Sequence, residues 1–365
     1  MNAITPLSSG SAGSGAALGG KVRVFVVDDS SMVRAVYARV IAQDPGLELI
    51  GTAISGEDAL SQLGGLHVHV VLLDLEMPGM GGMKALPEII RRTNGAKVMV
   101  VSTLAAEGAE ATVQALSLGA ADTLQKPASG TFDDAYRAMM IQKIKALGKR
   151  PLRRATGSEA PPTPVIVQRA PSQHRARIVG IGASTGGIYA LSVLLGALPA
   201  KIGVPLLVTQ HLPVEFLEAF ARQLREGSGR QAVIAREGMD LIPDVIFVAP
   251  GNAHLCLERK GAGNVVRLDR MPAASGCMPS VDPMFESLAQ HYGGHALGVV
   301  LTGMGRDGTE GARALVGAGA GVIVQNEASS VVWGMPGSVA KAGLASAMLH
   351  PHDLAARIAV STQAS

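Results

Sequence analysis

Aromatic side chains are scarce: Phe, Trp and Tyr make up 3% of the 365 residues. That argues against a single-strand nucleic-acid platform of stacked rings. Cysteine is scarcer still. Cys256 and Cys277 are too few for a disulfide framework and read as thiols of a reducing cytosol. No apolar run approaches the ~20 residues of a membrane span. Residues 1–20 are rich in Ser, Gly and Ala, without the basic start or apolar core of a signal peptide, and read as a flexible extension. The net charge is only +3, and it is uneven: from Lys143 to Arg177 nine Lys/Arg face the single acid Glu159, a local +8 that leaves −5 elsewhere. A uniformly basic nucleic-acid surface is therefore not expected. What is abundant is apolar material, 47% of a chain about two domains long. The expectation is a cytoplasmic protein with two cores.

Two stretches alternate between strand and helix patterns. The first begins with the β-branched run Val22–Val27, stopped by Asp28-Asp29-Ser30, after which apolar residues recur at helical spacing. Further strands read at 47–53, 68–73, 97–101 and 121–125, with helices between, which predicts a five-stranded parallel sheet. The Pro- and Arg-rich segment 148–176 cannot continue a packed helix or a central strand, and reads as a linker. A second alternation runs over 177–361, punctuated by Gly-rich turns. The fold class is α/β twice over: a five-stranded flavodoxin-like unit and a doubly wound unit.

In a sheet of order 2-1-3-4-5 the carboxyl ends of the strands of the first unit bring together Asp28, Asp29, Asp74, Ser102 and Lys126. Three converging carboxylates repel unless a cation sits among them, and hard oxygen ligands at an open site suit Mg²⁺. Asp74, central among them, is the best acceptor for a phosphoryl group, with Lys126 and the Ser102 hydroxyl for its remaining oxygens. Singly, each Asp is more often a cap or turn residue. Together, in this order, they are specific.

In the second unit Ser184 sits on a Gly-flanked strand-to-helix turn, Gly182-Ala183-Ser184-Thr185-Gly186-Gly187. That position exposes a hydroxyl beside helix N–H groups and suits a nucleophile with an oxyanion intermediate; capping of the helix by Ser184 or Thr185 is the plainer alternative. A dinucleotide loop fits poorly, because Thr185 stands where its third glycine belongs and the next strand ends in His211 rather than an acid. His211 is placed to act as base for Ser184. Asp307, on another glycine-rich turn, either caps the following helix or holds the imidazole. His291 and His295 have the i, i+4 spacing of metal ligands, but Gly293-Gly294 argue against one helix presenting both.

The first constellation resembles the receiver domain of two-component response regulators, over roughly 21–147. The resemblance implies phosphorylation of Asp74, Mg²⁺ held by Asp28, Asp29, Asp74 and the backbone carbonyl of Glu76, and switching through Ser102 and Lys126. Thr123 stands where such domains often carry an aromatic, so an aromatic-flip switch is not expected. GASTGG at 182–187, TQH at 209–211, LTGMGRDG at 301–308 and QNEAS at 325–329 are similar to the chemotaxis protein-glutamate methylesterase/glutamine deamidase family. This second resemblance implies a hydrolase with Ser184 as nucleophile, His211 as base and then acid, and Asp307 as orienting carboxylate. Backbone amides near Thr185 and Met304 would form the oxyanion hole. It also implies methylated chemoreceptors as substrate, a chemotaxis histidine kinase as phosphodonor, and no cofactor for the ester step. Neither nucleic acid nor membrane insertion is expected. Two alternatives stay open: a non-enzymatic binding module behind the receiver, and an esterase for a protein outside chemotaxis.

Overall fold

The computed structural model describes residues 20–102, 106–126, 132–148 and 168–363. The expected N-terminal extension and most of the expected linker lie outside them. In the first unit β1 (Val22–Val27), α1 (Ser31–Gln43), β2 (Leu47–Ala53), α2 (Gly56–Gln62) and β3 (Val70–Asp74) lead to α3 (Gly81–Arg92), β4 (Lys97–Ser102), α4 (Ala106–Ser117), β5 (Asp122–Gln125) and α5 (Asp134–Gly148). The strands form one parallel sheet in the order β2-β1-β3-β4-β5. All five residues of β3 are buried, as a strand covered on both faces requires. The helices begin where local chemistry satisfies their free N–H groups: the Ser30 hydroxyl accepts from Val33 N–H and that of Ser55 from Asp58 N–H. The sequence pattern did not announce α5, which closes one face of this sheet with the buried Met140, Ile144 and Leu147.

Gly82, in the first turn of α3, lies against the chain just after β3. A Cβ there would collide with the Asp74 carbonyl oxygen and Leu75 Cα, backbone atoms that cannot move aside. Gly82→Ala is expected to destabilise the first unit by about 1–3 kcal/mol, seen as an earlier unfolding transition in denaturant. An unchanged transition would show that the turn relaxes freely.

The second unit runs β6 (Ile178–Ala183), α6 (Gly187–Ala197), β7 (Leu206–Gln210), α7 (Leu217–Ser228), β8 (Ala232–Ile234) and β9 (Ile246–Val248). Then come β10 (His254–Lys260), β11 (Gly263–Asp269), α8 (Val281–Tyr292), β12 (Ala296–Val300), α9 (Thr309–Gly317), β13 (Gly321–Gln325), α10 (Met335–Lys341), β14 (Ala347–Leu349) and α11 (Pro351–Thr362). Seven strands make a parallel sheet in the order β14-β13-β12-β6-β7-β9-β8, and β10 and β11 pair separately as an antiparallel hairpin. The expected parallel sheet is present; the hairpin and α8 are additions to it. Residues 168–176, inside the expected linker, are bonded to this unit: Arg169 N–H to Ala345 O at 3.0 Å, and Ala176 N–H to Ser361 O at 2.8 Å.

Strand order reverses around β6, with β7 on one side and β12 on the other. A crevice therefore opens at the carboxyl ends of these three strands, the place where ligands bind in doubly wound sheets. No helix among the described residues is long and apolar enough to cross a membrane.

Candidate active site and acidic pocket

Three strand ends build the crevice. Parallel β6 and β7 pair with Gly182 opposite Thr209 and Ala183 opposite Gln210, so the next rung sets Ser184 beside His211. The Ser184 backbone is pinned: its N–H donates to Thr302 O at 3.0 Å, and its carbonyl accepts from Gly187 N–H at 2.7 Å and Gln210 Nε2 at 2.9 Å. The turn into α6 passes through Gly186 at φ +76°, left-handed backbone that other residues adopt at a cost. A side chain there would also strike Val331.

His211 Nε2 lies 2.7 Å from Asp307 Oδ2. Asp307 is only 2% exposed and accepts four further hydrogen bonds: Ser280 Oγ at 2.6 Å, Val281 N–H at 2.8 Å, Gly308 N–H at 3.0 Å and Asp282 N–H at 3.3 Å. Capping and orienting, alternatives in the sequence, are combined here. Asp307 does cap a helix, but that helix is α8 rather than the one following it in the chain. The partial positive charge of that N-terminus favours its ionised form. Burial works against the Asp307 charge, but His211, Ser280 and Val281 hold its carboxyl well below the usual range. Burial likewise opposes a charged imidazole at His211, yet Asp307 and the neighbouring Cys277 push it up to about 9.

Thr185 and Met304 flank the crevice. Among the described residues neither backbone N–H has an acceptor within the chain. The first unit leans over this opening. Thr185 Oγ1 donates to Asp122 Oδ2 at 2.9 Å, Lys143 holds the other Asp122 oxygen at 3.1 Å, and Arg222 of α7 pairs with Glu110 of α4 at 2.7 Å. A cleft of about 340 Å³ remains between the units, lined by Ser184, Thr185, His211 and Met304 on one side and by residues such as Asp122, Thr123 and Gln142 on the other.

The second cluster sits at the carboxyl edge of the first sheet. Asp28 and Asp29 follow β1, Asp74 ends β3, Ser102 ends β4 and Lys126 follows β5. Carboxylate oxygens of Asp28, Asp29 and Asp74 lie within 4.8 Å of one another. Lys126 Nζ is 2.6 Å from Asp74 Oδ2, and Glu76 N–H donates to Asp74 Oδ1 at 3.0 Å. Burial, then the Asp74 charge, raises Asp28 to about 6; burial also raises Asp74, against the pull of Lys126. Asp28 Oδ2 and Ser102 Oγ are buried with no hydrogen-bond partner among the described residues. Unsatisfied oxygens beside crowded carboxylates fit a hard cation and an incoming phosphoryl group.

Residues 24–132 match the response regulator receiver domain family and residues 179–358 the CheB methylesterase family. A protein-glutamate methylesterase/protein-glutamine glutaminase of Caulobacter vibrioides is 41% identical, over 90% of this chain and 95% of its own. One of Rhodospirillum rubrum is 38% identical, over 93% of this chain and 95% of its own. The chain belongs to this methylesterase/glutaminase family. The solved CheB methylesterase catalytic domain of Thermotoga maritima, 32% identical, superposes with a TM-score of 0.50 over 51% of this chain and 98% of that one.

Within this family fold the structure adds residues that sequence reading passed over. His254 Nδ1 accepts from Ser280 N–H at 2.9 Å, fixing the residue whose hydroxyl binds Asp307. Cys277 lies against His211 and Asp307. Asp122 reaches the turn carrying the candidate nucleophile. Nothing local marks these roles, since each partner is far away in the chain. His291 lies in the last turn of α8 while His295 falls in the short turn beyond it, so one helix does not present both.

Proposed function

We propose that this chain removes methyl esters from glutamate side chains of chemoreceptors and deamidates receptor glutamines, under control of phosphorylation at Asp74. The carrying observation is the 2.7 Å contact between His211 and Asp307, with Ser184 on the adjoining strand rung. Asp307 holds the Nε2 side of the ring, which leaves Nδ1 to take the Ser184 proton as the oxygen attacks the ester carbonyl. The Thr185 and Met304 N–H groups are the donors for the resulting oxyanion. His211 then protonates the departing methanol, and water, deprotonated by the same ring, releases glutamate. With an amide substrate the leaving group is ammonia. The structure records no Ser184–His211 hydrogen bond, and such contacts commonly tighten only when substrate binds.

Control falls to a receiver over 21–147, joined by a linker over 148–176 to a catalytic domain over 177–361, with residues 1–20 as an extension. Asp28, Asp29, Asp74 and the Glu76 carbonyl would hold Mg²⁺, which would supply positive charge to the phosphoryl oxygens. Lys126 and Ser102 bind oxygens of the phosphoryl group on Asp74. A chemotaxis histidine kinase is the donor, and the cytoplasm, where receptor helices carry their methyl esters, is the site of action. With the receiver over the catalytic cleft, phosphorylation shifts the population toward arrangements that free it.

Mass spectrometry of receptor peptides after incubation with the protein and a small-molecule phosphodonor tests this reading. Loss of 14 mass units at glutamyl methyl esters, about one CH₂, is the expected result; unaltered peptides would refute it. Asp74→Asn is expected to remove the rise in methanol release that the phosphodonor produces. A full rise in that variant would refute the control mechanism.

A further inference from the structure

We propose that Cys277, His211 and Asp307 form a binding site for a soft divalent cation, Zn²⁺ above all, whose occupation shuts the esterase off. One ligand atom from each of the three lies within 4.8 Å of the other two. Thiolate, imidazole and carboxylate together are the donor set of zinc sites with three protein ligands and an open fourth position. Sulfur and nitrogen donors also separate this site from the all-oxygen cluster of Asp28, Asp29 and Asp74, which suits Mg²⁺.

Zinc bonds of about 2.0–2.3 Å set tetrahedral ligands about 3.3–3.8 Å apart. The 2.7 Å His211–Asp307 contact must therefore open slightly. The His211 side chain is 18% exposed and Cys277 is partly buried, both at the edge of the crevice. The carboxylate stays anchored meanwhile through Oδ1, which accepts from Ser280 Oγ at 2.6 Å and Gly308 N–H at 3.0 Å. His254 in turn holds Ser280 N–H. Outer partners of this kind orient a ligating carboxylate. On binding, Cys277 gives up its thiol proton and the His211 imidazolium its ring proton, both to water, so the site gains one S–Zn, one N–Zn and one O–Zn bond.

The shut-off rests on the catalytic reading above. A neutral imidazole bound to zinc carries the metal on one nitrogen and a proton on the other. Neither nitrogen retains a lone pair for the Ser184 proton. Cys256, the other cysteine, is buried, with its thiol against Pro283 O, and has no part in the site.

The test uses full-length Ser184→Ala protein with Mg²⁺ in excess, titrated with Co²⁺. A thiolate-to-cobalt charge-transfer absorption is expected at one equivalent, displaced by Zn²⁺ and absent when Cys277→Ser is added. Failure of the band to appear in Ser184→Ala would overturn the site, whatever the enzyme's activity. In the wild-type chain Zn²⁺ is expected to stop methanol release and a chelator to restore it. Cys277→Ser should need about tenfold more Zn²⁺, or beyond, for equal inhibition relative to its own metal-free rate. A clear cobalt band with methanol release indifferent to Zn²⁺ would overturn the shut-off and the role of His211 as base. Absence of methanol release from wild type would sink the catalytic reading alone, because the band still decides the site.

Discussion

Replacing Ser184 by alanine is expected to lower methanol release from methylated receptor membranes by about 10⁴-fold or more, the scale of losing a nucleophile that acts as a unit with its base. The fold should survive. What ties this residue into the structure is its backbone, through Thr302, Gly187 and Gln210, and the side chain is half-exposed in the cleft. Denaturant unfolding of the variant should match wild type while labelled methanol no longer appears. Equal release rates would mean that another group attacks the ester, and the acyl-enzyme scheme would fall.

Asp307→Asn should cost about 10³–10⁴-fold in turnover, the cost of presenting the imidazole in the wrong tautomer. Five donors converge on the carboxylate, and an amide has one oxygen for them. Either His211 and Val281, or Ser280, Asp282 and Gly308, then meet an NH₂, which leaves buried donors unpaired. Some loss of stability accompanies the loss of rate, so the pH profile separates the two. In wild type the basic form of His211 gains population as pH rises through about 9. Removing the carboxylate charge lowers the ring's pKa. The ascending limb of kcat/KM should move to lower pH while its plateau falls. A residue that served only to cap α8 would weaken the fold and leave the limb where it was.

The acidic pocket is legible in the sequence. A β-branched run ending in Asp28-Asp29, and others ending in Asp74, Ser102 and just before Lys126, name both the strand and the edge at which the residue stands. Parallel α/β topology allows few orders for five such strands, and the order β2-β1-β3-β4-β5 is the expected one. Ser184 and His211 were legible for the same reason, each closing a short apolar run.

Asp307 was only half legible. Its turn could be read, but its attachment to α8 depends on the hairpin β10–β11 and the chain after it returning to the crevice, and no periodicity records that path. Cys277 is the sharper case: in the chain it is a thiol in a stretch of mixed small and apolar residues, and only the packing of 275–281 under Asp307 brings it to His211. The same holds for Asp122, which begins a strand of one unit yet bonds Thr185 of the other.

The chain alone determined the strands of the first sheet, the central strands of the second and the polar residues that end them, because those follow from alternation and capping over a few neighbours. Tertiary structure alone decided which carboxylate steadies which ring, which thiol joins them and what covers the cleft. Those pairings come from how distant turns pack, and a period of two or 3.6 residues carries no information about that.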